Sequence, residues 1–269
     1  MLENVFYINL DHRTDRKKNL LEQLDKINCT DYTRFEAIKH EDGSLGCTLS
    51  HINILKIARQ RKLPYVTILE DDAFFLKPDL FKNCMKQLFS SNIVWDVFIL
   101  GGNKVGPHDL MPGNFCMKIS YVQTTTAYMV QQHYYDTLIN NMEKGLQYLH
   151  EFPHLHNCFA IDKWWNRLIF QNHKWYMIYP AQVIQIEDFS DIEGRTVNYS
   201  APMLNLKENF FKYYKIDYSN YVSPQMLSSD DIVSPNIYTD ARGDIYNYKE
   251  KKNKREFLIS NLNSKEKIK

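Results

Sequence analysis

No stretch of the 269-residue chain approaches the roughly 20 consecutive apolar residues that cross a bilayer, so no transmembrane segment is expected. The opening residues Met1 to Leu10 place Glu3 where a signal peptide carries basic residues, and their apolar run is too short for its hydrophobic region. A soluble, cytoplasmic protein is the expectation. Charge of one sign is missing as well. The 33 Lys and Arg face 32 Asp and Glu, which removes the field that draws a protein onto nucleic acid or anionic lipid. Cysteine is sparse, and its five copies form no C-x-x-C pair. That excludes a disulfide framework and argues against zinc or dithiol redox chemistry, leaving reduced, partly buried thiols. There is no internal repeat, and nothing in the sequence fixes an oligomeric state.

What is present is an alternation of strand and helix signals. Val5 to Leu10 is a short run of strand formers closed by Asp11, His12, Arg13 and Thr14, and Leu20, Leu21 and Leu24 follow at helical spacing. A helix is expected from Leu49 to Arg59, then a strand over Tyr65 to Leu69. Val94 to Leu100 reads as a further strand broken by Gly101 and Gly102. Thr124 to Val130 reads as a fourth, with a helix from about Tyr134 to Leu149. Ile161 to Phe170 reads as one helix and Trp175 to Tyr179 as a last strand. The alternation predicts an α/β layer structure with a mostly parallel sheet flanked by helices, whose ligands sit at the carboxyl ends of the strands. The pattern decays after about residue 196, and 249–269 is a Lys-rich, solvated tail.

Three adjacent acids, Glu70, Asp71 and Asp72, follow directly on the buried strand. Like charges this close raise one another's pKa unless a cation neutralises them. A side-chain period of two sends Glu70 and Asp72 to one side and Asp71 to the other. All-oxygen ligation of this kind suits Mn²⁺ or Mg²⁺, which keep positions free for water and phosphates. An acidic turn exposed to water is the competing reading. Upstream, Gly43-Ser44-Leu45-Gly46 reads as a turn running into a helix with Ser50 and His51 near its start. Glycine admits close backbone approach, and helix amino termini favour anions.

Four blocks together resemble glycosyltransferase family 25, which includes lipooligosaccharide and procollagen galactosyltransferases. They are Tyr7 to Arg16 (YINLDHRTDR), Leu45 to His51 (LGCTLSH), Leu69 to Asp72 (LEDD), and a diffuse set of Thr125 to Tyr128, Ile161-Asp162, Tyr179-Pro180 and Ser190 to Ile192. The resemblance implies a GT-A fold over residues 1–200, with 201–269 an extension of unplaced role. It also implies a UDP-sugar donor, a glycan or protein-hydroxyl acceptor, and Mn²⁺ dependence. By position, Asn9, Asp11, Arg13 and Arg16 border the nucleotide, and Ser50 and His51 shape the same pocket. Asp72, with Glu70, holds the metal, while Asp71 bonds the ribose or sugar. Asp191, with Asp188 as its competitor, completes the metal shell or touches the acceptor, and an ordinary turn role for both is the rival reading. Asp162 is the expected general base, with a helix-cap role as its rival. Ser190 and Trp164 are placed on the acceptor side, with burial in the core as the favoured rival for Trp164. Two other readings stay open. A nucleotidyltransferase would carry a glycine-rich loop where this chain has Asp11 to Asp15, and an inactive family member would bind glycans or partners without turnover.

Overall fold

Apolar runs of alternating parity build the central sheet. The computed structural model describes residues 2–103, 105–106, 108–153 and 156–204, together with two short strands at 237–239 and 245–247. The first half of the chain runs β1 (Val5–Asn9), α1 (Thr14–Lys26), β2 (Tyr32–Glu36), α2 (Gly43–Gln60), β3 (Tyr65–Glu70), β4 (Ala73–Phe75), α3 (Pro78–Ser90) and β5 (Val97–Asn103). Then come β6 (His108–Leu110), β7 (Cys116–Ile119), β8 (Gln123–Gln131), a short turn of 3-10 helix and α4 (Tyr135–Glu151). The described remainder holds α5 (His156–Phe159), α6 (Ile161–Trp164), α7 (Asn166–Phe170), β9 (Trp175–Ile178), β10 (Val183–Gln185), β11 (Asp188–Ser190), β12 (Arg195–Val197), α8 (Ser200–Leu204), β13 (Ile237–Thr239) and β14 (Ile245–Asn247).

Eight strands form one sheet in the order β2-β1-β3-β8-β5-β9-β7-β6. β1 pairs parallel with β2 and β3, and β5 pairs parallel with β9, whereas β8 and β7 run against their neighbours. Six of the eight strands therefore point one way, which makes the sheet mixed but mostly parallel in direction. Successive side chains of a strand face opposite sides, and the core divides accordingly. Phe6, Ile8, Val66, Ile68, Val97, Ile99, Tyr128 and Val130 pack with Ile52 and Leu55 of α2 and Leu138 and Met142 of α4. Val5, Tyr7, Leu69, Phe98, Leu100, Ala127 and Met129 pack with Leu20 and Leu24 of α1 and Phe81, Cys84, Met85 and Leu88 of α3. A sheet covered on both faces requires near-continuous apolar strands, and this is the expected α/β layer architecture with a mostly parallel sheet flanked by helices.

Several boundaries differ from expectation. Helix α2 starts at Gly43, because the Asp42 side chain caps it by accepting from the Ser44 N–H at 2.8 Å. Gly43 and Gly46 are thus helical, and Ser50 and His51 lie two turns in. Strand β5 continues through Gly101 and Gly102 with shifts of register. A Cβ on Gly102 would stand 2.5 Å from Val122 Cγ2 and one on Gly101 2.9 Å from the Val183 carbonyl oxygen, so these glycines admit close neighbours instead of ending the strand. The single helix expected over Ile161 to Phe170 is two short pieces meeting at Trp165. Helix α3 begins with Pro78 at its first turn and buries residues 81, 84, 85 and 88, an amphipathic spacing passed over in the sequence. Of the expected 201–269 extension, the described residues are the end of α8 and the β13–β14 hairpin. The remainder, including the Lys-rich tail, lies outside the described residues.

Candidate active site

The carboxyl ends of β1 and β3 lie side by side, with Ile8 in register with Glu70. The next residue of each chain segment meets across the gap: Asn9 Nδ2 donates to Asp71 Oδ2 at 2.8 Å. Arg16, one turn into α1, donates through Nη1 to Asp71 Oδ1 at 3.1 Å and stands 3.5 Å from Asp72 Oδ2. Its Nε reaches Asp188 at 2.7 Å and its Nη2 the Phe189 carbonyl at 2.8 Å. Arg13 engages Asp15, Asp188 and Asp191, the last at 2.8 Å. The paired arginines of the first block thereby hold the β11–β12 hairpin over the ends of β1 and β3.

The acids divide as a period of two requires. Asp71 turns to Asn9 and Arg16, whereas Glu70 and Asp72 both approach Gln185 Nε2, at 3.3 and 3.4 Å. Glu70 Oε1 also accepts from the Thr125 hydroxyl at 2.6 Å. Asp72 Oδ1 is buried and has no hydrogen-bond partner among the described residues. Burial, then the charge of Glu70, pushes the Asp72 carboxyl up to about 8, with Arg16 opposing and Asp71 adding to the rise. Burial also raises Asp71, against the hydrogen bond from Asn9 and the charge of Arg16. Two guanidiniums among Glu70, Asp71, Asp72, Asp188 and Asp191 leave the cluster short of positive charge. An orphaned carboxylate oxygen beside Glu70 fits a hard divalent cation bound through one or two carboxylates, with waters and phosphate oxygens completing its shell.

A cleft of about 340 Å³ opens beside these groups. One part of its wall is apolar, from Ile8, Leu10, Ala37 and Ile38. The other carries Arg16, Glu70, Asp71, Asp72 and Gln185, with Ser190 and Asp191 contributed by the hairpin. Ser50 and His51 lie against it, both fully buried and held by specific bonds. Ser50 Oγ donates to the Gly46 carbonyl and accepts from the Ile38 N–H at 2.9 Å, and His51 Nδ1 lies 2.8 Å from the Tyr128 hydroxyl. Cys47 lines the same wall. Burial, with the charges of Glu70 and Asp162, holds its thiol well above the ordinary value.

Other expected residues fall differently. Asn9 and Arg13 are buried behind the cleft wall and brace it. Asp11 is exposed and pairs with Arg34. Asp191 is engaged by Arg13 and not by the other acids. Trp164 is 4% exposed and packs among Tyr148, Phe159 and the face of Gly145. Asp162 accepts from the Thr124 N–H at 3.1 Å and stands 3.5 Å from Lys163 Nζ. Thr124 carries φ +70°, a conformation that a β-branched residue rarely adopts. The next residue, Thr125, is the one that bonds Glu70. Sequence reasoning missed Gln185, a neutral side chain on a three-residue strand that carries no chemical signature. It also left Thr125 without a role, although the T-T-A-Y block marked the segment.

Residues 40–152 match glycosyltransferase family 25 (LPS biosynthesis protein). The resemblance read from the sequence holds. Procollagen galactosyltransferase 1-A of Xenopus laevis is 26% identical over an alignment of 173 residues that covers 51% of this chain and 28% of that protein. Procollagen galactosyltransferase 1-B of the same species is 26% identical over an alignment of 163 residues that covers 48% of this chain and 26% of that protein. The match spans little more than a quarter of these relatives' length. Among solved structures, a glycosyltransferase involved in glycosylation of the major capsid of PBCV-1 is 13% identical, covering 64% of this chain and 79% of its own, at a TM-score of 0.42. A Drosophila beta-1,4-galactosyltransferase 7 mutant in complex with manganese, UDP-Gal and xylobiose is 7% identical, covering 74% and 76%, at 0.39. Both likenesses are too distant to carry an argument. The family 25 stretch contains α2, the three acids and β8, whereas Arg16, Asp162, Gln185 and Asp191 lie beyond it.

Proposed function

We propose that the chain transfers a hexose, galactose first and glucose next, from a UDP-sugar to a hydroxyl of a glycan or collagen-like protein. The reading is a metal-dependent transfer with inversion. The observation that carries it is the buried Asp72 Oδ1, without a hydrogen-bond partner among the described residues, at a cleft whose lining combines Ile8, Leu10, Ala37 and Ile38 with Arg16, Glu70 and Asp72. Glu70 and Asp72 would hold Mn²⁺ or Mg²⁺, which when bound would offset the negative charge developing on the leaving diphosphate. The chain's own residues do the rest. Gln185 and Thr125 orient Glu70, Arg16 fixes Asp71 and Asp72 in one geometry, and the apolar wall of Ile8, Leu10, Ala37 and Ile38 takes the flat face of a nucleobase.

Inversion needs one direct displacement, so a base must take the acceptor proton. Asp162 is assigned that role. Its Oδ2 accepts from the Thr124 N–H, beside the Thr125 hydroxyl that bonds Glu70, and this connects it to the acid cluster. Residues 1–200 form the catalytic unit in this reading.

The test is a donor screen with UDP-galactose, UDP-glucose and UDP-N-acetylhexosamines, each with and without Mn²⁺, reading released UDP. Calorimetric binding of UDP to wild type and Asp72→Ala accompanies it. Mn²⁺-dependent UDP binding that disappears in Asp72→Ala supports the reading. Binding that ignores both Mn²⁺ and Asp72 removes it.

A further inference from the structure

Helix α2 carries a second donor set that the hard-cation reading leaves unused. Cys47 and His51 are four residues apart, which places both side chains on one helix face. That face meets the end of β3. Among the described residues, Cys47, His51 and Glu70 are the one group of three or more Cys, His, Asp or Glu whose ligand atoms all lie within 4.8 Å of one another. His51 is fully buried, and among the described residues its Nε2 has no hydrogen-bond partner, while it stands 3.5 Å from Glu70 Oε1. A buried imidazole nitrogen without a hydrogen bond thus stands in a group whose carboxylate and sulfur lie at ligand spacing.

We infer that Cys47, His51 and Glu70 form a site for a borderline-soft divalent cation of the Zn²⁺ class, sharing Glu70 with the hard-cation site at Asp72. Two ligands held at about 2.0–2.3 Å from one tetrahedral ion lie roughly 3.3–3.7 Å apart, and His51 Nε2 and Glu70 Oε1 already stand at that spacing. The ring's other nitrogen is prepared for the role. With its proton on Nδ1 the imidazole donates to the Tyr128 oxygen at 2.8 Å, which turns the Nε2 lone pair inward. An outer hydrogen bond of this kind commonly orients a metal-binding histidine.

Chemistry separates this set from its neighbour. Sulfur and imidazole select zinc-class ions, whereas carboxylate, water and phosphate select Mg²⁺ and Mn²⁺. Three protein ligands leave the fourth position to water from the cleft, which Cys47, His51 and Glu70 all line. Coordination releases the Cys47 proton to solvent. Because Glu70 serves both sets, zinc bound here competes with Mn²⁺ at Asp72. The competition rests on the donor reading, but the binding itself does not.

The experiment titrates the metal-free full chain with Co²⁺, which replaces zinc and shows a thiolate-to-cobalt charge-transfer absorption. Wild type is expected to give a saturable band that Zn²⁺ abolishes. Cys47→Ser is expected to lose the band and Asp72→Asn to keep it, with circular dichroism establishing that both are folded. Alkylation of wild-type thiols, mapped by mass spectrometry, supplies a readout without substitution: Zn²⁺ is expected to protect Cys47 from maleimide. No band in wild type, a band that survives in Cys47→Ser, or Cys47 equally reactive with and without Zn²⁺ overturns the inference. UDP binding with Mn²⁺ on the same wild-type sample keeps the two readings apart. UDP binding without a cobalt band sinks only the zinc-class site, and a cobalt band without UDP binding sinks only the donor reading.

Discussion

Arg16 Nε donates to Asp188 at 2.7 Å, joining residues 172 positions apart in the chain. The same guanidinium holds Asp71 and the Phe189 carbonyl, so one side chain that is 11% exposed fixes both the acid cluster and the hairpin above it. Removing one partner of a buried ion pair leaves an uncompensated charge and costs about 3–5 kcal/mol. Arg16→Met is expected to lose at least about 3 kcal/mol in urea denaturation. Arg16→Lys is expected to recover only part, because a point charge does not reproduce the fork that reaches three acceptors. Full recovery by lysine would show that charge alone matters at this position.

The arginine clamp also sets the acid limit of the fold. Burial pushes the Asp188 carboxyl up, but hydrogen bonds from Arg16 and the Phe189 N–H, with the charges of Arg16 and Arg13, hold it below its ordinary value. Asp15 is lowered to about 2, chiefly by its hydrogen bond with Arg13. A carboxyl with a depressed folded pKa stabilises above its unfolded value, about 3.9. That contribution is lost as pH falls through the folded value. The unfolding midpoint is therefore expected to drop between about pH 4 and pH 2, and Asp188→Asn to flatten that slope. An unchanged slope would place the acid sensitivity elsewhere.

The parts of the site legible in the sequence were those written in charge and period. Three acids closing an apolar run located the end of β3, and a period of two sorted Glu70 and Asp72 from Asp71. The paired arginines were visible but their purpose was not, since nothing local links Arg13 and Arg16 to Asp188 and Asp191. Glycine misled twice. Gly101 and Gly102 read as a strand break and Gly43 and Gly46 as a turn, because propensity is a local property and close packing is not. Strand β2 was passed over because its Y-T-R-F-E lies at the sheet edge, half exposed. Gln185 and Thr125 carry neither charge nor periodicity.

Gly46 gives a direct test of the packing argument. Alanine in a helix interior is favoured over glycine by about 1 kcal/mol, so propensity alone predicts that Gly46→Ala stabilises α2. A Cβ there would stand 2.4 Å from the Ile38 carbonyl oxygen, and backbone does not yield as a side chain does. Overpacking of this kind costs about 1–3 kcal/mol, and the strain falls on the Ile38–His40 wall of the cleft. Gly46→Ala is expected to lower the thermal midpoint and weaken UDP binding together. A raised midpoint would mean that the wall moves aside cheaply.

Asp162 holds two roles that substitution separates. Its carboxylate accepts from the N–H of Thr124, whose φ of +70° costs a β-branched residue roughly 1–2 kcal/mol and aims Thr125 at Glu70. Asparagine keeps an oxygen acceptor for Thr124 but accepts no proton. Alanine removes both functions. As general base, Asp162 predicts a fall in kcat of about 10²- to 10⁴-fold in Asp162→Asn, with UDP binding and the thermal midpoint held near wild type. As a positioning residue alone, it predicts near-normal kcat in Asp162→Asn, with loss of stability and of donor binding confined to Asp162→Ala. A fall in kcat under tenfold in the asparagine variant would move the proton acceptor to another group and leave Asp162 as the support of the Thr124 bend.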